Sequence, residues 1–304
     1  MTNNLIVILG PTGVGKSDIS FELAQQLKCE IISADSRQFY KEMRIGTAVP
    51  DALQLNAIKH HFVQFLPVDS YYSSSLFERD VLKLLPQLFS TNKTAIMAGG
   101  SGLYIDAVCN GIDDIPDIDH AVRARYNAMY IESGIEGLRS ALKLFDPEHY
   151  AKVDLKNHKR IIRALEICES TGSPYSSFLN KRKVQRDFAI IKIGLSRNRE
   201  ELYEMINKRV DKMIDEGLEN EAKNLYGLKH LNAMNSVGYR EFFYYFDGQI
   251  SREEAISLIK RNSRRYAKRQ MTWWAKDKEI TWFDAGEKEE IFRFVSKALS
   301  GKKF

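Results

Sequence analysis

Residues 5–20 read LIVILGPTGVGKSDIS, and the order of elements in this stretch decides the fold. Five apolar residues, Leu5, Ile6, Val7, Ile8 and Leu9, read as a buried parallel strand. They run into Gly10-Pro11-Thr12-Gly13-Val14-Gly15-Lys16-Ser17 and then into an amphipathic helix through Asp18, Phe21, Leu23 and Leu27. Glycines let such a loop turn tightly, so that successive N–H groups converge on phosphate oxygens. The helix start adds a partial positive charge, Lys16 a full one, and Ser17 a hydroxyl suited to Mg²⁺. An incidental Gly-rich turn would not sit between a strand and a helix in this order. Residues Gly10 to Ser17 are therefore expected to hold a di- or triphosphate, ATP included, and the loop alone leaves open what is transferred.

Outward from the loop, the first third alternates strand and helix. Short strands are expected at residues 30–33 and 94–98, and helices at 76–89 and near 103–109. Alternation of this kind implies a P-loop NTPase-like α/β core, a parallel sheet flanked by helices. The pattern changes at Asn110-Gly111-Ile112-Asp113-Asp114-Ile115-Pro116-Asp117, and from there to about Arg186 only helical periodicity remains. Strand character returns over residues 188–195, and the C-terminal third is mostly helical, with a short apolar run at 280–283. The expected organisation is a core of residues 1–112 and 187–304 interrupted by an all-helical insertion at 113–186.

With 304 residues, 44% of them hydrophobic, the chain can bury a sizeable core. Its formal charge of +5 is modest, so the distribution of charge says more than the total. Within residues 156–186 eight basic side chains (Lys156, Lys159, Arg160, Arg163, Lys181, Arg182, Lys183, Arg186) face only Glu166 and Glu169. Residues 260–278 hold eight Lys or Arg against Asp277 alone, with Arg261, Arg264, Arg265 and Lys268 at helical spacing and Tyr266, Trp273 and Trp274 alongside. Two basic blocks with interleaved aromatics point to a nucleic-acid backbone. The three cysteines, Cys29, Cys109 and Cys168, form no C-x-x-C pair and argue against disulfides or structural zinc. His60 and His61 read as loop or packing residues. Neither a leader peptide nor a membrane span is expected, and a cytoplasmic enzyme is the default. Nothing demands a dimer, so a monomer is expected.

Two hydrolase signatures are missing. The strand ending at Ala98 is followed by Gly99-Gly100 and no acid, and Asn92-Lys93-Thr94-Ala95 has alanine where a guanine-reading aspartate belongs. The carboxylate that does follow a core strand is Asp35, in Ser33-Ala34-Asp35-Ser36-Arg37-Gln38. It should emerge at the same C-terminal sheet edge as the phosphate loop, where open α/β sheets bind ligands. There it is a candidate catalytic base or Mg²⁺ orienter.

With these residues the chain resembles the bacterial tRNA dimethylallyltransferases, or tRNA isopentenyltransferases, of the IPP transferase family. The likeness runs nearly end to end: GPTGVGKS from Gly10, SADSRQFYKEMRIGTAVP from Ser33, HHFVQFLPVDSYYS from His60, GGSGLYIDAV from Gly99, and NHKRIIRALEICESTGSPYS from Asn157. It continues with RVDKMIDEGLENEA from Arg209, NSVGYREFFYY from Asn235 and RRYAKRQMTWW from Arg264. The resemblance implies prenyl transfer from dimethylallyl diphosphate to the exocyclic amine of the adenosine just 3′ of a tRNA anticodon, position 37. Asp35 would accept the amine proton, and Lys16, Arg209 and Mg²⁺ held through Ser17 would neutralise the departing diphosphate, with Ser101 at the reaction centre. Asp35, Ser36, Arg37 and Gln38 would meet the acceptor adenosine. Contacts to the tRNA anticodon stem-loop would come from Ser101, Arg123, Lys159, Arg160, Arg163, Asn235, Ser236, Gly238, Tyr239, Arg240, Lys268, Arg269, Gln270, Thr272 and Trp273.

The chain departs from the family pattern in places. Ser101 stands where threonine is common and keeps the hydroxyl, while Thr272-Trp273-Trp274-Ala275 lacks the usual arginine, for which Lys276 is a substitute. The zinc-finger extension of eukaryotic relatives is not expected. A P-loop small-molecule kinase, a prenyltransferase acting on free nucleotides and a nucleic-acid-binding GTPase are the rival readings.

Overall fold

The computed structural model describes residues 2–113, 120–179 and 184–301. Asp114, Ile115, Pro116 and Asp117 of the expected junction, and Lys181, Arg182 and Lys183 of the first basic block, lie outside the described residues.

The chain begins with β1 (Asn4–Leu9), α1 (Lys16–Leu27), β2 (Ile31–Ser33), α2 (Ala52–Ala57) and β3 (His60–His61). Next come α3 (Ser74–Thr91), β4 (Thr94–Gly99) and α4 (Gly102–Asn110). Helices α5 (His120–Phe145, broken at Gly134), α6 (Pro147–Tyr150) and α7 (His158–Thr171) follow. The chain ends with β5 (Ala189–Ser196), α8 (Arg199–Asp215), α9 (Leu218–Asn224), α10 (Tyr239–Phe246), α11 (Arg252–Trp274), β6 (Ile280–Asp284) and α12 (Lys288–Leu299). Among the described residues the sheet has six strands in the order β3-β2-β4-β1-β5-β6, and every pairing is parallel.

The apolar run of β1 explains its central place. Leu5 to Leu9 are all essentially inaccessible to solvent, and each such burial stabilises the fold by about 1.5–3 kcal/mol. Side chains alternate across a strand, so Ile6 and Ile8 pack under α1, α8 and α12, while Leu5, Val7 and Leu9 pack under α3 and α4. Residue register aligns Leu9 with Gly99 of β4 and Gly194 of β5. The strand ends therefore meet at one edge, and the loops that follow them are brought together there.

Two compact units result: Met1–Asn110 with Gln185–Phe304, and Gly111–Val184. Both junctions fall two residues before those expected from the sequence pattern. Arg186 shows why: its guanidinium donates to the carbonyls of Ala107 and Val108 and pairs with Glu78 at 2.5 Å. It is a core residue and does not belong to the basic face of the insertion. The insertion has its own apolar centre, formed by Tyr126, Leu138, Leu142, Ile161, Ile162 and Leu165.

His60 and His61 are not loop residues. They form the short edge strand β3 against Ile31 and Ile32. A two-residue strand carries too little periodicity to be read from sequence. Trp274, expected beside the basic stripe, is only 1% exposed and lies in the core with Ile280. Arg264 also leaves that stripe, donating to Asn207 on α8 at 2.6 Å and lying over the Tyr203 ring. The three cysteines are free and buried. Among the described residues no helix is long and apolar enough to cross a membrane.

Candidate active site

The phosphate loop closes on α1 through Gly15, whose φ of 105° is left-handed backbone that favours glycine. Lys16 folds back over the loop and donates to the carbonyls of Gly10 and Pro11 at 2.8 and 2.9 Å. Lys16 is half-buried; desolvation of its ammonium, with Arg209 adding repulsion and Asp35 opposing, lowers its pKa from 10.5 to about 7. Burial lowers the Arg209 pKa as well, again against the pull of Asp35. Two basic groups and one carboxylate thus share one half-buried site.

Asp35 follows β2 by two residues. Its Oδ1 accepts the Arg37 N–H at 3.1 Å, which holds the turn after the strand. The next strand end supplies Ser101, whose N–H donates to the Ala34 carbonyl and whose Oγ accepts the Ser36 N–H at 2.9 Å. The Ser101 hydroxyl also meets those of Ser36 and Tyr266. Burial raises the Tyr266 phenol to about 12, so it stays protonated at neutral pH.

Two cavities open from this edge. The first, about 70 Å³, is lined by the phosphate-loop residues Thr12, Lys16 and Ser17 with Asp35, Gln38 and His60 among others. The second, about 300 Å³, is walled by Ser36, Arg37, Asn235, Ser236, Gly238, Arg240 and Arg269 among others. Thr12, Asp35, Arg209 and Tyr266 line both. A group held in one therefore faces a group held in the other across Asp35.

The family model described as IPP transferase matches residues 38–277. The chain belongs to that family. The tRNA dimethylallyltransferase of Christiangramia forsetii is 50% identical to this chain over 301 residues, covering 99% of this chain and 100% of the relative. A tRNA dimethylallyltransferase 2 of Parabacteroides distasonis is 50% identical over 300 residues, with 98% and 99% covered. Among solved structures, the full-length tRNA isopentenylpyrophosphate transferase from Bacillus halodurans aligns with a TM-score of 0.72 at 36% identity, covering 99% of this chain and 98% of that one.

Several residues singled out from the sequence have other work. Tyr239 was expected at the tRNA, yet it is fully buried and its hydroxyl donates to Glu221 at 2.6 Å. Gln270 is 5% exposed; it accepts from Thr12 N and donates to Gly100 O, both at 2.8 Å, so it braces the phosphate loop. Gln38 directs its amide hydrogens to the carbonyls of Thr47 and Ala48 and accepts from Ser33 Oγ. It shapes the wall and has no hydrogen left to read a base.

In the insertion, Arg123 and Arg163 both grip the fully buried carboxylate of Glu166, at 2.6 and 2.7 Å. Two guanidinium groups on one carboxylate leave a single net positive charge. Lys159 and Arg160 beside them are exposed. Lys268 and Thr272 lie exposed on α11, where Thr272 Oγ1 donates to the Lys268 carbonyl, and Trp273 is exposed with its indole N–H on Asp106.

Tyr266, Gly46, Thr47 and Glu221 were not singled out as site residues. Tyr266 was legible in principle, since it precedes Gln270 by one helical turn and so shares its face of α11. Glu221 carries no such signal, because its partners lie far away in sequence.

Proposed function

We propose that this chain transfers a dimethylallyl group from dimethylallyl diphosphate to the exocyclic amine of the adenosine 3′ to a tRNA anticodon, releasing diphosphate. The observation that carries the reading is the shared lining of the two cavities by Asp35 and Arg209. The smaller cavity, with the phosphate loop, takes the diphosphate. The larger one, walled by Arg37, Arg240 and Arg269, takes the base and its flanking phosphates.

The chemistry follows from that placement. As the allylic C–O bond breaks and the new C–N bond forms, negative charge grows on the leaving oxygens and the adenine amine becomes acidic. Lys16 and Arg209 stand where the oxygen charge develops. Asp35, between the cavities, accepts the amine proton. Ser101, itself bonded to the Tyr266 hydroxyl, holds Ser36 and with it the turn that presents Asp35. Ser17 and Asp35 offer oxygen donors to the cavity of the phosphate loop, a set that fits a hard cation such as Mg²⁺. When bound, Mg²⁺ supplies further neutralisation of diphosphate charge.

The acceptor base must leave its stack to enter such a cavity, which an anticodon loop permits at little cost. Lys159 and Arg160 at the start of α7, with Lys268, Thr272 and Trp273 on α11, contact the anticodon stem-loop. Both cavities are built from one chain, and the reading takes the protein to act as a monomer in the cytoplasm. Incubation with tRNA, Mg²⁺ and dimethylallyl diphosphate, followed by nucleoside mass spectrometry, tests it. One C5H8 unit gained on adenosine is expected. Phosphate transfer from labelled ATP to a small molecule in its place would overturn it.

A further inference from the structure

The larger cavity has two walls that are distant in sequence. One includes Gly46 and Thr47; the other includes Asn235, Ser236, Gly238 and Arg240. A single carboxylate on a third element ties them together. Glu221 of α9 accepts three consecutive backbone N–H groups, those of Arg44 at 2.9 Å, Ile45 at 2.8 Å and Gly46 at 2.9 Å. It also accepts the hydroxyl of Tyr239, which begins α10 beside the second wall.

Three successive amides turned toward one anion form a nest, which the anion stabilises. Gly46 is part of the fit: a Cβ there would come within 2.6 Å of the Tyr239 ring. The far end of the same segment presents the Thr47 and Ala48 carbonyls to Gln38, and Gln38 lines the smaller cavity.

We infer that Glu221 is a positioning residue for the acceptor base, holding both walls of the larger cavity in register so that the adenosine can approach Asp35. The inference rests on the proposed prenyl transfer for the identity of that base. Gly46 and Thr47, on the segment that Glu221 holds, line the larger cavity and not that of the phosphate loop, which the segment reaches only through Gln38, so the effect falls first on the use of RNA.

Glu221→Gln keeps the shape and removes the charge, leaving one carbonyl oxygen for four donors. With an anticodon stem-loop and dimethylallyl diphosphate varied separately, E221Q raises the KM for RNA at least tenfold and moves that for the diphosphate less than twofold. Hydrogen exchange at the amides of residues 44–46 loses its protection in the same variant. Tyr239→Phe cuts the link to the second wall and leaves the nest filled, so it raises the RNA KM by a smaller factor than E221Q and leaves amide protection at residues 44–46 in place. If E221Q does not fold, Gly46→Ala, which pushes the segment away from Tyr239, must give the same split. An unchanged RNA KM in a folded E221Q, or an equal rise in both constants, overturns the inference. If the wild-type protein prenylates no stem-loop, that result counts against the proposed function alone. Stem-loop affinity and amide exchange in E221Q then decide the role of Glu221.

Discussion

The side-chain carbonyl of Gln270 accepts the backbone N–H of Thr12 at 2.8 Å, joining α11 to the phosphate loop. Its amide group continues to the Gly100 carbonyl, so one side chain sets the spacing between the ends of β1 and β4. Removing it leaves the buried Gly100 carbonyl and the half-buried Thr12 N–H without partners, and a buried group left unpaired costs about 1–3 kcal/mol. Gln270→Ala is therefore expected to raise the KM for dimethylallyl diphosphate by about tenfold or more, at 1.4 kcal/mol per decade. Stem-loop affinity should change less than twofold. Steady-state kinetics with filter binding checks both, and a loss confined to RNA would restore Gln270 to the tRNA surface.

Lys16 gives a pH signature. Its pKa of about 7 lies well below the ordinary 10.5 because burial disfavours the ammonium. Between those values the unfolded chain binds more protons than the folded one at this group, so the ligand-free protein gains stability from it as pH rises from 7 to 10.5. A bound diphosphate reverses the preference, and binding then takes up a proton. Calorimetry of inorganic diphosphate binding at pH 8–9, in buffers of different ionisation enthalpy and corrected for the protons that diphosphate itself releases there, should show an uptake approaching one proton. The uptake should fade below about pH 6, where the ammonium is already formed. A pH-independent proton count would contradict the environment described for Lys16.

In the insertion, stability and RNA affinity are carried by neighbouring residues on the same helix. Glu166 is inaccessible to solvent, and its loss would strand two guanidinium groups on α5 and α7. Breaking a buried pair costs about 3–5 kcal/mol, and the lower end applies because Arg123 is 41% exposed and already partly solvated. Glu166→Ala should thus lower the melting temperature sharply. Lys159→Ala and Arg160→Ala should leave melting unchanged, weaken stem-loop binding and flatten its dependence on salt by roughly one counterion each. Binding isotherms over a salt series, with thermal melts, separate the two classes.

The readable part of the molecule was local. Leu5 to Leu9, the glycines of the loop and Asp35 after β2 declare their places in the fold by order along the chain, because strand, turn and helix are neighbours in sequence. Where partners lie far apart, pattern reading failed. Tyr239 and Gln270 sit in motifs rich in basic and polar residues and look exposed, yet each turns inward to a group hundreds of positions away or on another helix. Arg123 and Arg163 likewise read as free positive charge until the fold set Glu166 between them. Polar residues that hold a cavity open have the same composition as those that touch a ligand, and only packing tells them apart.

Asp35 carries the chemical claim most directly. It lines both cavities, and Asp35→Asn preserves its size and its acceptor for the Arg37 N–H while removing the proton acceptor. General-base assistance contributes about 10²–10⁴-fold, so single-turnover prenyl transfer should slow by that much. Stem-loop affinity should remain within threefold, since Arg37, Arg240 and Arg269 are untouched. Asp35→Ala goes further, also loosening the turn that carries Ser36, and should abolish transfer with tRNA binding nearly intact. If either variant transfers the prenyl group at the wild-type single-turnover rate, the amine proton leaves by another route and Asp35 is a cation orienter or a turn-forming residue.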